Sequence, residues 1–360
     1  MPAPINLKKG RILSGMRPTG KVHLGNYVGA LRNWVNLQVD YDCFFFIADW
    51  HALTTDYADT RDIKQNSLEV IIDYLASGLD PERSTLFIQS HVPQHAELHL
   101  LFSMITPLGW LERVPTYKEQ RENIKDKDLG TYGFLGYPLL QSADILMYQA
   151  DFVPVGEDQV PHVELTREVA RRFNQFYPRK LGSGNPDPQR CVVFPEPRPL
   201  LTPAAKLPGT DGRKMSKSYG NTILLSEPEA SLRAKLKTMV TDPARVRRSD
   251  PGNPDACPVG DLHKIFSNPE TMAKVYEGCR TAGIGCIECK KWAADSLWTV
   301  LGPIQERRAK YEADPKLAWD IAEEGSAKAR VAAESTMEEV RAAANLSYEY
   351  EPATQKVEDQ

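Results

Sequence analysis

Two short runs, far apart in the chain, carry residue types suited to phosphate chemistry. His23-Leu24-Gly25-Asn26 follows a β-rich run and opens a helical pattern, and Lys214-Met215-Ser216-Lys217-Ser218 sits inside GTDGRKMSKSYGN. A helix N-terminus offers unpaired N–H groups and the positive end of a dipole to phosphate. Gly25 lets a flat base or a sugar approach the backbone, and His23 and Asn26 add directed polar contacts. Two lysines flanking Met-Ser on a glycine-bearing loop suit a polyphosphate whose charge grows during reaction. Alone, the first run reads as a capped helix start and the second as a solvated loop; their conjunction points to chemistry. Residues 15–21 also match the first seven positions of a G-x-x-x-x-G-K phosphate loop. Val22 stands where that loop needs a magnesium-binding hydroxyl, and Pro18 removes a backbone donor, so this reading is set aside.

The cysteines form a third group. Four of the six, Cys257, Cys279, Cys286 and Cys289, follow the spacing Cys-x21-Cys-x6-Cys-x2-Cys. Zinc ribbons and knuckles present two close pairs, whereas only Cys286 and Cys289 are close here. One close pair with two outlying thiols fits four-cysteine iron–sulfur ligation better, with zinc or plain reduced thiols as the alternatives. Cys43 and Cys191 read as packing residues. Asp144, in QSADILMY, is an acid among apolar neighbours, a pattern that the polar edge of an amphipathic helix also produces.

Composition narrows the class of protein. With 360 residues, 41% hydrophobic and 26% charged, the chain is expected to fold into two globular domains. A net charge of −4 argues against indiscriminate coating of nucleic acid. A basic patch remains at 231–248, with six Lys or Arg against Asp242, and Lys290 and Lys291 adjoin the cysteines. These read as solvated helix faces unless something else implies an RNA partner. No apolar run approaches the roughly 18 residues of a membrane span, and MPAPINLKKGR lacks the apolar core of a signal peptide. A cytoplasmic location, with no membrane partner, is expected. Its reducing conditions turn the cysteines away from disulfides.

The elements that must position these groups alternate through the first half: RILSG (11–15), CFFFIAD (43–49) and TLFIQS (85–90), each followed by a helical pattern. That alternation predicts an α/β fold with a parallel sheet, which binds ligands at the carboxyl ends of its strands near the switch point of strand order. The spacing of Leu165, Val169, Ala170, Phe173 and Phe176 predicts a helix over 160–176. Residues 178–208, with eight prolines, suit a surface connection. From about residue 226 the pattern is helical almost throughout, and the end is polar.

At this point the sequence resembles the class I aminoacyl-tRNA synthetases, whose signatures are His-Ile-Gly-His and Lys-Met-Ser-Lys-Ser. PTGKVHLGNYVGAL, IADWHALT, PLLQSADILMY, VPVGEDQVPHVELTREVARRFN and GRKMSKS are similar, in order and spacing, to the bacterial tryptophanyl branch. The resemblance covers Arg11 to about Asn345. It departs at Asn26, where the general signature has a second His, and at Trp50, where many relatives carry Gln beside His51.

The resemblance implies a Rossmann-like catalytic domain over 1–222, ending with the lysine loop, and a helical anticodon-binding domain over 223–330 that holds the four cysteines. A final helix over 331–346 would pack back on the catalytic domain, followed by a polar tail over 347–360. It further implies that L-tryptophan and Mg-ATP give an adenylate and pyrophosphate, after which tryptophan passes to tRNA(Trp). His23, Asn26, Lys214, Lys217 and Ser218 would be catalytic. ATP would also meet Arg17, Pro18, Thr19, Gly25, Gly156, Glu157, Asp158, Leu207, Met215 and Ser216.

Tryptophan would lie among Leu13, Gly15, His51, Tyr137, Gln141, Val153, Val155 and Gln159, with Asp144 accepting the indole N–H. Tyrosine activation is the alternative within the family, and a non-catalytic RNA-binding or regulatory protein the alternative outside it. A homodimer is implied. A subset of the branch resembles this cysteine pattern and carries a [4Fe–4S] cluster, for which Cys257, Cys279, Cys286 and Cys289 would be the ligands.

Overall fold

The computed structural model describes residues 8–123, 127–178, 192–202 and 207–348. Cys191 and the tail from residue 349 lie outside them. Five strands, β1 (Arg11–Met16), β2 (Asp42–Ile47), β3 (Ser84–Ile88), β4 (Phe152–Val155) and β5 (Arg198–Leu201), form one parallel sheet in the order β3-β2-β1-β4-β5. The order reverses between β1 and β4, which is where a doubly wound sheet opens a crevice at its carboxyl edge.

Alternation along the strands decides which core each side chain joins. Leu13, Phe44, Phe46 and Phe87 face one core, and Ile12, Cys43, Phe45, Ile47, Leu86 and Ile88 the other. The helices before β4 are α1 (Leu24–Asn26), α2 (Arg32–Leu37), α3 (Asp49–Asp56), α4 (Ile63–Ser77), α5 (Gln94–Ile105), α6 (Leu108–Glu112), α7 (Pro115–Asn123) and α8 (Tyr132–Met147). A π-helical turn, Tyr27–Leu31, joins α1 to α2. Then come α9 (Val160–Phe176), α10 (Glu229–Thr238), α11 (Pro258–Phe266), α12 (Pro269–Arg280), α13 (Cys286–Ala313) and α14 (Pro315–Ala343).

The three strands and the 160–176 helix expected from sequence are present as β1, β2, β3 and α9. The proline-rich stretch is more than a connection. It contains β5, and Val193 and Phe194 are buried core residues.

The helical half does not stand apart from the sheet. α13 packs along α4, so Leu297, Leu301 and Ile304 share one core with Val70, Ile71 and Phe45. α14 runs unbroken to Ala343 and covers the edge strand β3, where its small residues let backbone approach backbone. A Cβ on Gly325 would lie 1.8 Å from the Leu86 carbonyl oxygen, and the Ser326 hydroxyl accepts the Ile88 N–H at 3.2 Å. No described helix is long and apolar enough to cross a membrane.

Candidate active site

A cavity of about 410 Å³ opens at the switch point. β1 supplies Leu13 and Gly15, β4 supplies Val153 and Val155, α3 supplies His51, and α8 supplies Tyr137, Gln141 and Asp144. Gly156 and Gln159 from the turn after β4, with Arg17 and Asn26, complete the expected residues on its wall. Trp50 is not among the lining residues. Gly15 is needed for packing as well, because a Cβ there would come within 2.6 Å of the Phe46 ring.

Asp144 lies at the buried end of this cavity, 1% exposed. Its Oδ1 accepts from Gln89 Nε2 at 2.8 Å and from His95 Nδ1 at 2.6 Å, and its Oδ2 accepts from His51 Nε2 at 2.7 Å. His95 Nδ1 therefore carries the proton it donates, and its Nε2 takes the Tyr148 hydroxyl at 2.8 Å. Burial pushes the Asp144 carboxyl up, but hydrogen bonds from His51 and His95 outweigh it and hold the group well below the usual carboxylate range. The result is an ionised acceptor at the bottom of a slot whose wall mixes apolar side chains such as Leu13, Phe46, Val153 and Val155 with polar ones such as Gln141 and His162.

Above it, Thr116 Oγ1 meets the Tyr137 hydroxyl at 2.9 Å and His162 Nε2 at 2.6 Å. Burial lowers His162 to about 4, so this ring is uncharged at neutral pH.

Of the phosphate-type residues, Arg17, Asn26 and Gly156 reach the wall of this slot, and His23, Gly25 and the lysine loop assemble beside it. His23 caps α1: its Nδ1 accepts the Asn26 N–H at 3.3 Å, which leaves Nε2 as the nitrogen that bears a proton. The ring folds over Gly25, where a Cβ would stand 2.9 Å from it. Burial, then the charge of Lys217, lowers His23 to about 4.

Backbone bonds join the two distant runs. Leu24 N–H donates to Ile223 O and Leu225 N–H to Val22 O, both at 2.9 Å. Lys217 Nζ donates to the carbonyls of Thr19 and Gly20, each at 2.9 Å. Met215 is buried, its N–H donating to Leu207 O at 3.1 Å, and its Cβ would lie 3.6 Å from a Cβ on Gly25. Ser218 lies in the exposed turn Lys217–Tyr219. Pro18 is buried in the loop after β1, between exposed Arg17 and Thr19. Glu157 and Asp158 share the turn after β4, and a Cβ on Gly156 would meet Asp158 Oδ1 at 2.7 Å.

Sequence reasoning missed several participants. Asn221, 2% exposed, accepts the Ser216 N–H at 2.8 Å and donates to Asp211 Oδ1 at 2.7 Å and to Lys214 O at 3.2 Å, stapling the lysine loop. Its signal was the Gly220-Asn221 pair directly after the loop. Phe46, Phe134, His162 and Thr202 also line the cavity. Gln89 and His95, which hold Asp144, carried no signal beyond an ordinary helix start.

The four cysteines meet at the junction of three helices. Cys257 precedes α11, Cys279 lies in the last turn of α12, and Cys286 and Cys289 lie in the first turn of α13. Burial and the charges of the other three push the Cys289 thiol up to about 12. Arg245 Nη1 lies 3.9 Å from Cys279 Sγ, and His263 Nε2 lies 3.4 Å from Cys289 Sγ. Among the described residues, no three His, Cys, Asp or Glu side chains are arranged to hold a metal ion. Lys290 does not face solvent as its neighbourhood suggested: it is 8% exposed and its Nζ donates to Lys237 O at 3.0 Å.

A parallel sheet with this strand order, a slot at its switch point and two basic and polar runs joined beside it define a nucleotide-dependent class I synthetase. The chain belongs to the class I tRNA synthetases for tryptophan and tyrosine, whose family model matches residues 6–302. A tryptophan–tRNA ligase of Thermotoga maritima is 55% identical, with 94% of this chain and 100% of that one covered. That of Ralstonia nicotianae is 51% identical, over 94% and 99%. The crystal structure of tryptophanyl-tRNA synthetase from Campylobacter jejuni complexed with ADP and tryptophan superposes with a TM-score of 0.81 at 31% identity, covering 93% of this chain and 100% of that one.

Proposed function

We infer that the protein joins L-tryptophan to tRNA(Trp) in two steps. The tryptophan carboxylate attacks the α-phosphorus of Mg-ATP, forming tryptophanyl-adenylate as pyrophosphate leaves. A terminal ribose hydroxyl of tRNA then displaces AMP from the acyl carbon. The observation that carries the reading is Asp144, an ionised and buried acceptor at the end of the slot, which calls for a ring bearing a donor; the shape set by Leu13, Tyr137, Gln141, Val153 and Val155 must then separate indole from phenol.

A carboxylate is already a nucleophile, so no general base is required, and rate comes from position and charge. Asp144 takes the indole N–H, while Tyr137, Gln141 and Gln159 hold the polar end of the amino acid. Leu13, Gly15, His51, Val153 and Val155 shape the slot. His23 offers Nε2–H to phosphate, Asn26, Gly25, Arg17, Pro18, Thr19, Gly156, Glu157, Asp158 and Leu207 surround the nucleotide, and Lys214, Lys217 and Ser218 with Met215 and Ser216 close on the pyrophosphate. Lys217 must leave the Thr19 and Gly20 carbonyls to do so. We assign catalysis to 1–222 and anticodon contact to 223–330, with 331–346 bracing the first unit and 347–360 a polar tail. Arg247, Arg248 and Lys291 are better placed than Lys290 for RNA phosphate. The reaction belongs in the cytoplasm, where its substrates are.

Two further assignments complete this reading. Exposed Leu100, Met104, Leu108 and Tyr132 on α5, α6 and α8 support a homodimer. Cys257, Cys279, Cys286 and Cys289 are proposed to hold a [4Fe–4S] cluster, with zinc the alternative. Their shared neighbourhood supports this, although their side chains must turn to converge. The cluster would brace three helices and supply no step of the reaction.

Pyrophosphate exchange with tryptophan and tyrosine side by side tests the activity. Exchange with tryptophan alone is expected, and exchange with neither would support a non-catalytic protein. Iron and sulfide analysis after anaerobic purification tests the cluster. Cys286→Ser should leave exchange nearly intact and weaken tRNA charging; equal loss of both would make the site a general folding element.

A further inference from the structure

The mechanism leaves one buried charged cluster unused. α4 presents Asn66, Glu69 and Asp73 on one face, at the spacing that aligns helical side chains. Asp73 is 0% exposed, and Arg308, reaching across from α13, is 1% exposed. Arg308 Nη1 pairs with Asp73 Oδ1 and Nη2 with Glu69, while Nε donates to Glu312 Oε1 at 2.8 Å. Burial opposes the charge on Arg308, but the three carboxylates outweigh it and raise its pKa.

Packing alone does not explain this arrangement, because apolar side chains of similar volume commonly stabilise as well or better. The other oxygen of Asp73 shows what the cluster holds. Oδ2 accepts the Val22 N–H at 2.8 Å, while the Val22 carbonyl accepts from Leu225. Val22 is thus fixed from both sides, one residue before His23. Gly20, two residues earlier, has φ +98, a conformation that favours glycine, and its carbonyl and that of Thr19 carry Lys217 Nζ. Asn66 and Lys217 flank Gly20, at 3.5 and 3.6 Å from where its Cβ would be, and Lys21 lies 3.9 Å from Glu69.

We propose that Asp73 and Arg308 are positioning residues for ATP, clamping the 19–23 loop to α13 and thereby setting the place of His23 and of the carbonyls that hold Lys217 until it closes on pyrophosphate. Neither touches substrate. The chain of contacts runs from the helix whose first turn bears Cys286 and Cys289 to the residues assigned to phosphate, and it rests on that assignment.

The test is tryptophan-dependent pyrophosphate exchange at a temperature well below unfolding, with ATP and tryptophan varied separately. The double variant Asp73→Leu/Arg308→Met removes the two most deeply buried charges together and leaves Glu69 to Lys21. Its KM for ATP should rise, or its kcat fall, about tenfold, the cost of roughly one well-placed hydrogen bond, with KM for tryptophan within about twofold.

Arg308→Lys keeps a cation but cannot bridge three carboxylates, and it should shift the same ATP parameter by a smaller factor. Should the double variant not fold, Arg308→Lys decides alone. A lower Tm with wild-type ATP parameters in the folded variant would overturn the proposal and leave the cluster purely structural. If the unaltered protein shows no exchange, the synthetase reading itself fails, which separates the two cases.

Discussion

Asp144 shows how much one side chain's neighbours decide. An ionised carboxylate has about four acceptor positions. Gln89, His95 and His51 take three of them, leaving a place for one more donor. An indole N–H would fill it; phenylalanine brings no donor and would leave it unpaired in a buried site. Asp144→Asn should therefore raise KM for tryptophan about 10- to 100-fold, the worth of a hydrogen bond to a charged group, while KM for ATP stays within about twofold. Exchange kinetics with each substrate varied will show it, and an unchanged tryptophan KM would remove Asp144 from recognition. Asp144 was legible as an acid among apolar residues. Gln89 and His95 were not, because they stand 55 and 49 residues away in chain order and only the fold brings them to the carboxylate.

At the scale of elements, legibility followed local pattern. β1, β2 and β3 are unbroken β-rich runs between helical patterns, and β4 and β5 are four residues each with a proline inside, Pro154 and Pro199, which marks a stretch as something other than strand. The lysine loop was legible as a motif but its anchoring was not, since the Val22–Leu225 pairing spans the whole catalytic half. α14 was visible as an alanine-rich helix, whereas its seat on β3 depends on a contact that no local pattern shows. Two glycines test that seat. Gly325→Ala sets a methyl against backbone and should destabilise by at least about 1–3 kcal/mol. Gly133→Ala in α8 meets nothing within 4 Å and should stabilise by about 0.5–1 kcal/mol through helix propensity. Thermal denaturation of both should move Tm in opposite directions; a downward shift of similar size in both would mean that helix glycines here serve a common need instead of one close approach.

Across the whole molecule, the core beneath α4 runs without a break from the sheet into α10, α11 and α13, so acid stress on the active site is felt as loss of global stability. His99 and His263 are lowered too, and burial raises Asp73 to about 6, which opposes the trend below that pH, but the largest shifts of this sign belong to His23 and His162. Both are lowered from 6.5 to about 4, His23 by burial and then Lys217, His162 by burial and then His51, with Asp158 opposing. Between those values the unfolded chain binds protons that the native chain refuses, so stability rises with pH across the window. Their contribution is complete above about pH 6.5 and drains away as pH falls toward 4. Asp144 acts lower still, because its carboxyl is depressed and its share is lost only once pH falls below the ordinary carboxylate range. Melting curves from pH 8 to 4.5 should therefore show a Tm plateau above 6.5 and a steady decline beneath it, and His162→Gln should make that decline shallower. A Tm that holds level from pH 6.5 to 5 would mean that these rings accept protons in the folded protein as readily as in the unfolded chain, and that the Nδ1 cap on Asn26 does not keep His23 uncharged.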